Sequence, residues 1–273
     1  MTESNVLEGF QSDSFTSSTS HGHNLYRLGS GPAVIIVHEI PGITPLVAAF
    51  ARRVAHSGLT AVLPDLFGTP GKEMTMNYAL NSFAKACISK EFTILAHNRT
   101  SPIVDYLREL ATREHSSCGG LGVGAIGMCL TGGFALAMSV EPVVIAPIMS
   151  QPSLPLPINA AHRRALGLSD SDYAVVRERV NEGLCVMGLR FSGDNKSPRD
   201  RFVRMRQELG DNFIGVEIDS SATNPWGYKK GAHSVLTEDY SDTEGSPTRA
   251  ALDQVLHFLV TTLGVEPTPT GEP

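Results

Sequence analysis

Residues 125–138, AIGMCLTGGFALAM, have the layout of a strand that turns sharply into a helix. The small and apolar residues at its start predict a short buried strand, and those from Leu130 onward predict a helix. Cys129 stands at the corner, with Gly127 before it and a pair of glycines starting at Gly132 after it. Small residues at such a corner let strand and helix approach closely, so that the corner side chain is presented above the sheet. The stretch therefore predicts a nucleophile elbow in which cysteine replaces the usual serine.

The same corner favours negative charge. The backbone N–H of Leu130 lies at the predicted helix N-terminus, where unpaired donors and the helix dipole attract anions. A buried cysteine in a glycine-rich turn is also a common structural feature of α/β proteins. The elbow alone therefore leaves both a catalytic and a purely structural role open for Cys129.

Outward from the elbow, strands and helices alternate. AVIIVH at residues 33–38 is a continuous apolar run, typical of a strand covered on both faces. A helix over about 45–55 and a strand over 60–63 follow it, which makes a βαβ unit and implies a parallel sheet. Further buried strands are predicted at residues 143–149, 184–191 and near 214–218, with helices between them. The chain has no internal repeat and no dividing linker, so we predict one α/β domain with a mostly parallel sheet flanked by helices on both faces.

The ends and two internal stretches are less regular. We expect residues 1–23 to be a disordered polar tail, residues 24–264 to form the domain, and residues 265–273 to be a loose C-terminal tail. Residues 69–100 are predicted to be partly helical, forming a lid or one wall of a cleft. Residues 151–157 are predicted to form a stiff proline-rich loop over the edge of the sheet.

Composition excludes several function classes. The 273 residues are 41% hydrophobic and 18% charged, as in ordinary globular proteins. A net charge of -6 without a Lys/Arg cluster disfavours nucleic acids and anionic membranes as partners. No apolar run approaches the ~20 residues that span a bilayer, and the N-terminus lacks a signal-peptide pattern. The four cysteines form no C-x-x-C pair, which disfavours a zinc or thioredoxin-type site and suits a cytoplasmic protein with reduced thiols. The sequence leaves the oligomeric state open between a monomer and a small homo-oligomer.

Four residues with catalytic chemistry follow predicted strands. Functional residues of open parallel sheets collect after the C-terminal ends of the strands. Four residues occupy such positions: Glu39, Cys129, Asp194 and His233. The order cysteine, acid, histidine is that of α/β-hydrolase triads. His233 would accept the thiol proton and return it to the leaving group, while Asp194 would fix the ring tautomer.

Each of these residues also has a structural interpretation. Asp194, in Ser-Gly-Asp-Asn, is typical of a turn, and His233 of an ordinary loop. Asp200 is a rival acid, although the predicted helix containing it turns that side chain towards solvent. It is much less probable that all four residues follow predicted strands in this order by chance than that any one of them does.

Several segments together resemble the dienelactone hydrolase family of α/β-hydrolases. They are GMCLTGG (127–133), HEIPGI (38–43), AVLPDLFG (61–68), FSGDNKSP (191–198) and GAHSV (231–235), and the similarity extends over residues 25–262. The resemblance implies the α/β-hydrolase fold and a reaction without cofactor or metal. It implies Cys129 as nucleophile, His233 as base, Asp194 as the residue that orients it, and Glu39 beside the thiol, influencing its protonation. It also implies an oxyanion hole made by the N–H groups of Leu130 and Ile40.

The chain departs from the family pattern at two positions. Thr131 replaces a glycine of the elbow. Thr237 stands four residues after His233, where dienelactone hydrolases carry an arginine that binds the substrate carboxylate. Lys90 or Arg99 would have to supply the missing cation.

The combined sequence observations predict a hydrolase that cleaves a small-molecule ester, lactone or related activated acyl compound through an acyl-cysteine intermediate. Two alternatives stay open at this level. One is a thioesterase or acyltransferase with the same triad, and the other is a non-catalytic ligand-binding or thiol-sensing protein on the same scaffold.

Overall fold

A central sheet of eight strands organises the computed structural model, which describes residues 6–18, 22–88, 101–154 and 156–265. The strands are β1 (Gln11–Phe15), β2 (His23–Gly29), β3 (Ala33–Val37), β4 (Thr60–Pro64), β5 (Val123–Met128), β6 (Val144–Ser150), β7 (Val186–Phe191) and β8 (Phe213–Ile218). Their order across the sheet is β1-β2-β4-β3-β5-β6-β7-β8. The β1–β2 and β2–β4 pairs are antiparallel, and all other neighbours are parallel. The predicted mostly parallel sheet is confirmed.

Helices cover both faces of this sheet. They are α1 (Pro45–His56), α2 (Met76–Ile88), α3 (Pro102–Cys118), α4 (Gly132–Met138), α5 (Ala160–Arg164), α6 (Asp170–Asn181), α7 (Arg199–Leu209) and α8 (Pro247–Thr262). One core contains residues of α1 and α8, such as Phe50 and Val255. The other contains residues of α3, α4 and α7, such as Leu107, Phe134 and Phe202. Burial on both faces explains why all five residues of β3 are apolar and inaccessible.

Local sequence sets the helix starts. Thr44 caps α1 by accepting a hydrogen bond from the N–H of Val47 at 3.3 Å, and Pro45 occupies the first turn. Ser169 caps α6 in the same way. Pro102 opens α3, which continues to Cys118. None of the helices in the described ranges is long and apolar enough to cross a membrane.

The polar N-terminal stretch differs from its prediction. Residues 11–15 form the edge strand β1, not part of a disordered tail, and pair with residues 23–27 of β2. The Phe15 ring packs against Tyr106, with ring centroids 5.4 Å apart. Alternating polar residues hid this strand in the sequence, since one face of an edge strand stays in solvent. The predicted C-terminal tail falls almost entirely outside the described residues.

Candidate active site

The elbow has the backbone strain that its sequence predicts. Cys129 has a φ of +54°, in the left-handed region that L-residues with a side chain rarely adopt. A Cβ on Gly127 would lie 2.2 Å from the carbonyl oxygen of Thr131, so only glycine allows β5 and the following turn to approach this closely. Cys129 begins a single 3-10 turn that leads directly into α4. Strain of this kind is typical of functional sites.

Thr131, the departure from the family pattern, has its own function in the turn. Its hydroxyl accepts a hydrogen bond from the N–H of Met128 at 3.0 Å and lies 2.8 Å from the carbonyl oxygen of Val37. The side chain therefore ties the end of β5 to the end of β3, and Cys129 keeps its elbow conformation with threonine in this position.

His233 and Asp194 meet at the same rim of the sheet. Asp194 lies in the loop after β7, and His233 lies in the long loop after β8. The Nδ1–H of His233 donates to Oδ2 of Asp194 at 2.6 Å, and both residues are buried. The second carboxylate oxygen of Asp194 accepts the N–H of Lys196 at 2.9 Å. Its rival Asp200 pairs instead with Arg163 and is half exposed, so Asp194 is the acid that reaches the histidine.

The charge of His233 depends on Cys129. Burial by itself lowers the pKa of His233, but the neighbouring Cys129 sulfur and the Asp194 carboxylate outweigh burial and raise that pKa to about 10. Nε2 of His233 is buried and makes no hydrogen bond of ordinary geometry with the described residues. The structure thus joins His233 directly to Asp194 and places the Cys129 sulfur near enough to raise the pKa of the ring.

Glu39 is buried after β3 and is held by three uncharged donors. Ser234 donates to its Oε2 at 2.7 Å, Gln151 donates to the same oxygen at 3.3 Å, and Thr237 donates to Oε1. These bonds join the exit of β3 to the loop that carries His233. Burial and then the charge of Glu39 raise the pKa of Glu238. The predicted influence of Glu39 on the thiol stays a prediction.

The predicted oxyanion donors follow the ends of β3 and β5, which are neighbouring strands, and their role stays a prediction. Leu130 follows Cys129 in the 3-10 turn, and Ile40 follows Glu39 and is joined to Pro41 by a cis peptide bond. Lys90 and Arg99, the predicted substrate-binding cations, lie outside the described residues. Thr237 is buried, and its hydroxyl is already bonded to Glu39.

The loop after β6 is the part of the site that the sequence did not reveal. It was predicted to lie over the edge of the sheet, but Gln151 and Ser153 are buried directly after β6, an interior strand next to β5. Oε1 of Gln151 accepts the N–H of Val235, and Ser153 lies against Cys129, with Oγ 3.4 Å from Sγ. The rule that strand exits carry function would have included this loop, because it follows the buried strand next to β5.

Metal ligands and other histidines do not add to this constellation. The described part of the chain has no group of three or more His, Cys, Asp or Glu side chains placed to hold a metal ion. His38 is buried, and burial lowers its pKa to about 4. Its ring nitrogens lie 3.1 Å from the carbonyl oxygen of Glu39 and 3.2 Å from the N–H of Leu66, which fits a structural role.

The fold and this constellation define a hydrolase-type site, and comparison with known proteins identifies the family. The family model for the dienelactone hydrolase family matches residues 25–165, more than half of the chain. The chain belongs to the dienelactone hydrolase family, as its sequence motifs predicted.

One curated relative matches over a short segment. It is described as "Putative hydrolase fragment YghX" of Escherichia coli (strain K12) and is 43% identical over 49 residues. The matched segment covers 16% of this chain and 42% of that relative, so this chain spans less than half of its length.

Solved structures confirm the α/β-hydrolase fold. A protein described as "Putative Dienelactone Hydrolase" from Klebsiella pneumoniae subsp. pneumoniae MGH 78578 has a TM-score of 0.59 at 17% identity, covering 94% of this chain and 98% of that one. The alpha/beta hydrolase GrgF from Penicillium sp. sh18 has a TM-score of 0.58 at 13% identity, with coverage of 93% and 99%. The thermophilic esterase Est2 from Thermogutta terrifontis has a TM-score of 0.56 at 14% identity, with coverage of 97% and 96%. At these identities the likeness concerns the fold alone.

Proposed function

We propose that this protein is a cofactor-independent hydrolase that cleaves an ester, a lactone or a related activated acyl compound through a Cys129–His233–Asp194 triad. The observation that carries the proposal is the 2.6 Å bond between buried His233 and Asp194, beside a cysteine with positive φ at a strand-to-helix corner. Membership of the dienelactone hydrolase family supports the same reaction class.

The first half of the proposed reaction acylates the cysteine. The Cys129 sulfur, its proton transferred to Nε2 of His233, attacks the carbonyl carbon of the substrate, and the carbonyl electron pair moves onto oxygen. The N–H groups of Leu130 and Ile40 hold that oxyanion, a contribution of about 3–4 kcal/mol per donor in a known hydrolase. The intermediate collapses, the C–O bond breaks, and the leaving alkoxide takes the proton from His233.

The second half returns the enzyme to its starting state. His233 accepts a proton from water as the water oxygen attacks the acyl-cysteine, and collapse of the second tetrahedral intermediate breaks the C–S bond. The acid leaves and the sulfur keeps the electron pair. Asp194 holds the proton-bearing Nδ1 of the ring throughout, so that Nε2 always faces the reaction.

Hydrolysis of p-nitrophenyl acetate and a small panel of lactones tests this proposal. We expect His233→Ala to lower kcat/KM by about 10²–10⁴-fold and Cys129→Ala to abolish turnover above background. Cys185→Ala is the matched control, because Cys185 precedes β7 and so lies at the end of the strands opposite the rim that carries the site. Equal rates for all four proteins on every hydrolysed substrate would contradict the triad. Product analysis with added alcohol or thiol acceptors distinguishes hydrolysis from acyl transfer.

A further inference from the structure

The sulfur of Cys129 has a second polar neighbour besides His233. Oγ of Ser153 lies 3.4 Å from Sγ, within hydrogen-bonding distance for sulfur. Among the described residues, the Ser153 hydroxyl makes no other hydrogen bond. The side chain is also almost fully buried, at 4% exposure, so water does not readily replace this contact.

The backbone holds Ser153 in this place. The N–H of Ser153 donates to the carbonyl oxygen of Cys129 at 2.9 Å, so amide and hydroxyl of one residue both contact the cysteine. Gln151, two residues earlier, has a φ of +35° and donates its N–H to Leu189 at 2.7 Å. A residue keeps such a rarely populated conformation only where the surrounding structure holds it there. The backbone that leads from Gln151 to Ser153 is therefore fixed.

Two further contacts hold this loop against the elbow. Arg201 of α7, fully buried, donates to the carbonyl oxygen of Pro152 and to that of His162 at 3.1 Å. A Cβ on Gly132 would lie 2.5 Å from Cα of Pro152, so glycine is needed for the loop to reach the start of α4. Both contacts place Ser153 against the sulfur.

We propose that Ser153 is a further catalytic residue of this site, whose hydroxyl donates a hydrogen bond to the Cys129 sulfur whenever that sulfur carries negative charge. A thiolate has no proton to donate, so the hydroxyl is then the donor. The contact is made when the thiol proton of Cys129 has passed to His233, and again when the C–S bond of the acyl-cysteine breaks and the electron pair moves onto sulfur. No proton leaves Ser153 in either step. The second of these roles rests on the proposed function.

The ionisable groups at this rim include His233, paired with Asp194, and Glu39, bonded to Gln151, Ser234 and Thr237. Asp239 accepts the N–H groups of His233 and Ser234, the charge of Glu39 acts on Glu238, and the buried guanidinium of Arg201 acts on Asp194. None of these groups bonds the Ser153 hydroxyl, so its removal takes away none of their contacts. A comparison of matched variants therefore isolates the contribution of that hydroxyl.

Alkylation of Cys129 by iodoacetamide, followed by peptide mapping, tests the contact without any substrate. Hydrogen bonds to charged groups are stronger than those between neutral groups, so we expect Ser153→Ala to move the midpoint of the alkylation rate against pH upward by about one unit. Ser153→Gly should move it in the same direction, and Ser153→Thr, which keeps a hydroxyl, should restore it. Ser139→Ala is the matched control, because its buried hydroxyl bonds Leu136 at the far end of the elbow helix. Profiles of both hydroxyl-free variants that superimpose on the wild type overturn the proposal, as does a shift in only one of them.

Hydrolysis measured on the same variants separates this inference from the proposed function. A shifted alkylation profile in a protein without Cys129-dependent turnover supports the contact and contradicts the hydrolase assignment. Cys129-dependent turnover with unshifted alkylation profiles supports the hydrolase assignment and contradicts the contact between Ser153 and the sulfur. When both hold, Ser153→Ala should lower kcat about tenfold and increase the fraction of acyl-enzyme in acid-quenched samples, since the leaving thiolate loses a donor.

Discussion

Replacing Asp194 with asparagine is expected to disable the histidine while keeping its position. In the wild type, Oδ2 accepts the Nδ1–H of His233 at 2.6 Å and Oδ1 accepts the N–H of Lys196 at 2.9 Å. Asparagine has one acceptor oxygen for these two donors, and the side chain is only 2% exposed. If the amide oxygen stays with Lys196, the NH₂ group faces Nδ1 and favours the tautomer whose Nε2 carries the proton. If the amide flips, its NH₂ group faces the N–H of Lys196.

Either orientation removes the base or costs a buried hydrogen bond. Wrong-tautomer substitutions of this type lower kcat by about 10⁴ in a serine protease, and we expect a loss of about 10³–10⁴ here, equivalent to ~4–5.5 kcal/mol. The assay is kcat/KM for p-nitrophenyl acetate at neutral pH, with the thermal midpoint as a check on folding. Asp200→Asn makes the same change at the acid that pairs with Arg163 and should leave kcat/KM within about twofold of wild type. An Asp194→Asn variant that stays within a few-fold of wild type would refute the assigned role.

Three further predictions concern the groups around this pair. Cys129→Ala should lower the pKa of His233 below about 10, because the sulfur is one of the groups that raise it; a histidine NMR titration that gives the wild-type value would contradict this, and Cys185→Ala is the control. Gly132→Ala should lower the free energy of unfolding by about 1–3 kcal/mol despite the better helix propensity of alanine, because its Cβ would overlap Pro152; denaturant melts measure this, and Gly231→Ala, where no atom lies within 4 Å, should show no such loss. Thr237→Val should destabilise the fold by about 1–3 kcal/mol, because a buried oxygen of Glu39 loses its donor, whereas the exposed Thr223→Val should be nearly neutral in the same melts.

Local sequence patterns were sufficient to predict the framework of the site. Close backbone approach requires the glycines around Cys129, and burial on both faces of the sheet requires the apolar run at residues 33–37. Both constraints restrict the residue type and can therefore be recognised in the sequence. Residues after parallel strands share one rim, so Cys129, Asp194 and His233 were predictable as residues of the same rim.

The hydrogen bonds of Glu39 and the burial of Gln151 and Ser153 were not predictable in the same way. Gln151 and Glu39 are 112 positions apart in the chain, and Thr237 and Glu39 are 198 apart. Polar residues in a proline-rich segment have the composition of a solvent-exposed loop. Only the tertiary structure supplies the partners that let Gln151 and Ser153 be buried.

Acyl-enzyme trapping tests the central claim most directly. Acid quench of the reaction with p-nitrophenyl acetate, followed by peptide mass spectrometry, locates the acyl group after release of p-nitrophenolate. One acetyl group on the peptide that contains Cys129, lost in Cys129→Ala and longer-lived in His233→Ala, is the result we predict. An acetyl group found instead on another residue of the site, or turnover by Cys129→Ala at the wild-type rate, would contradict the account.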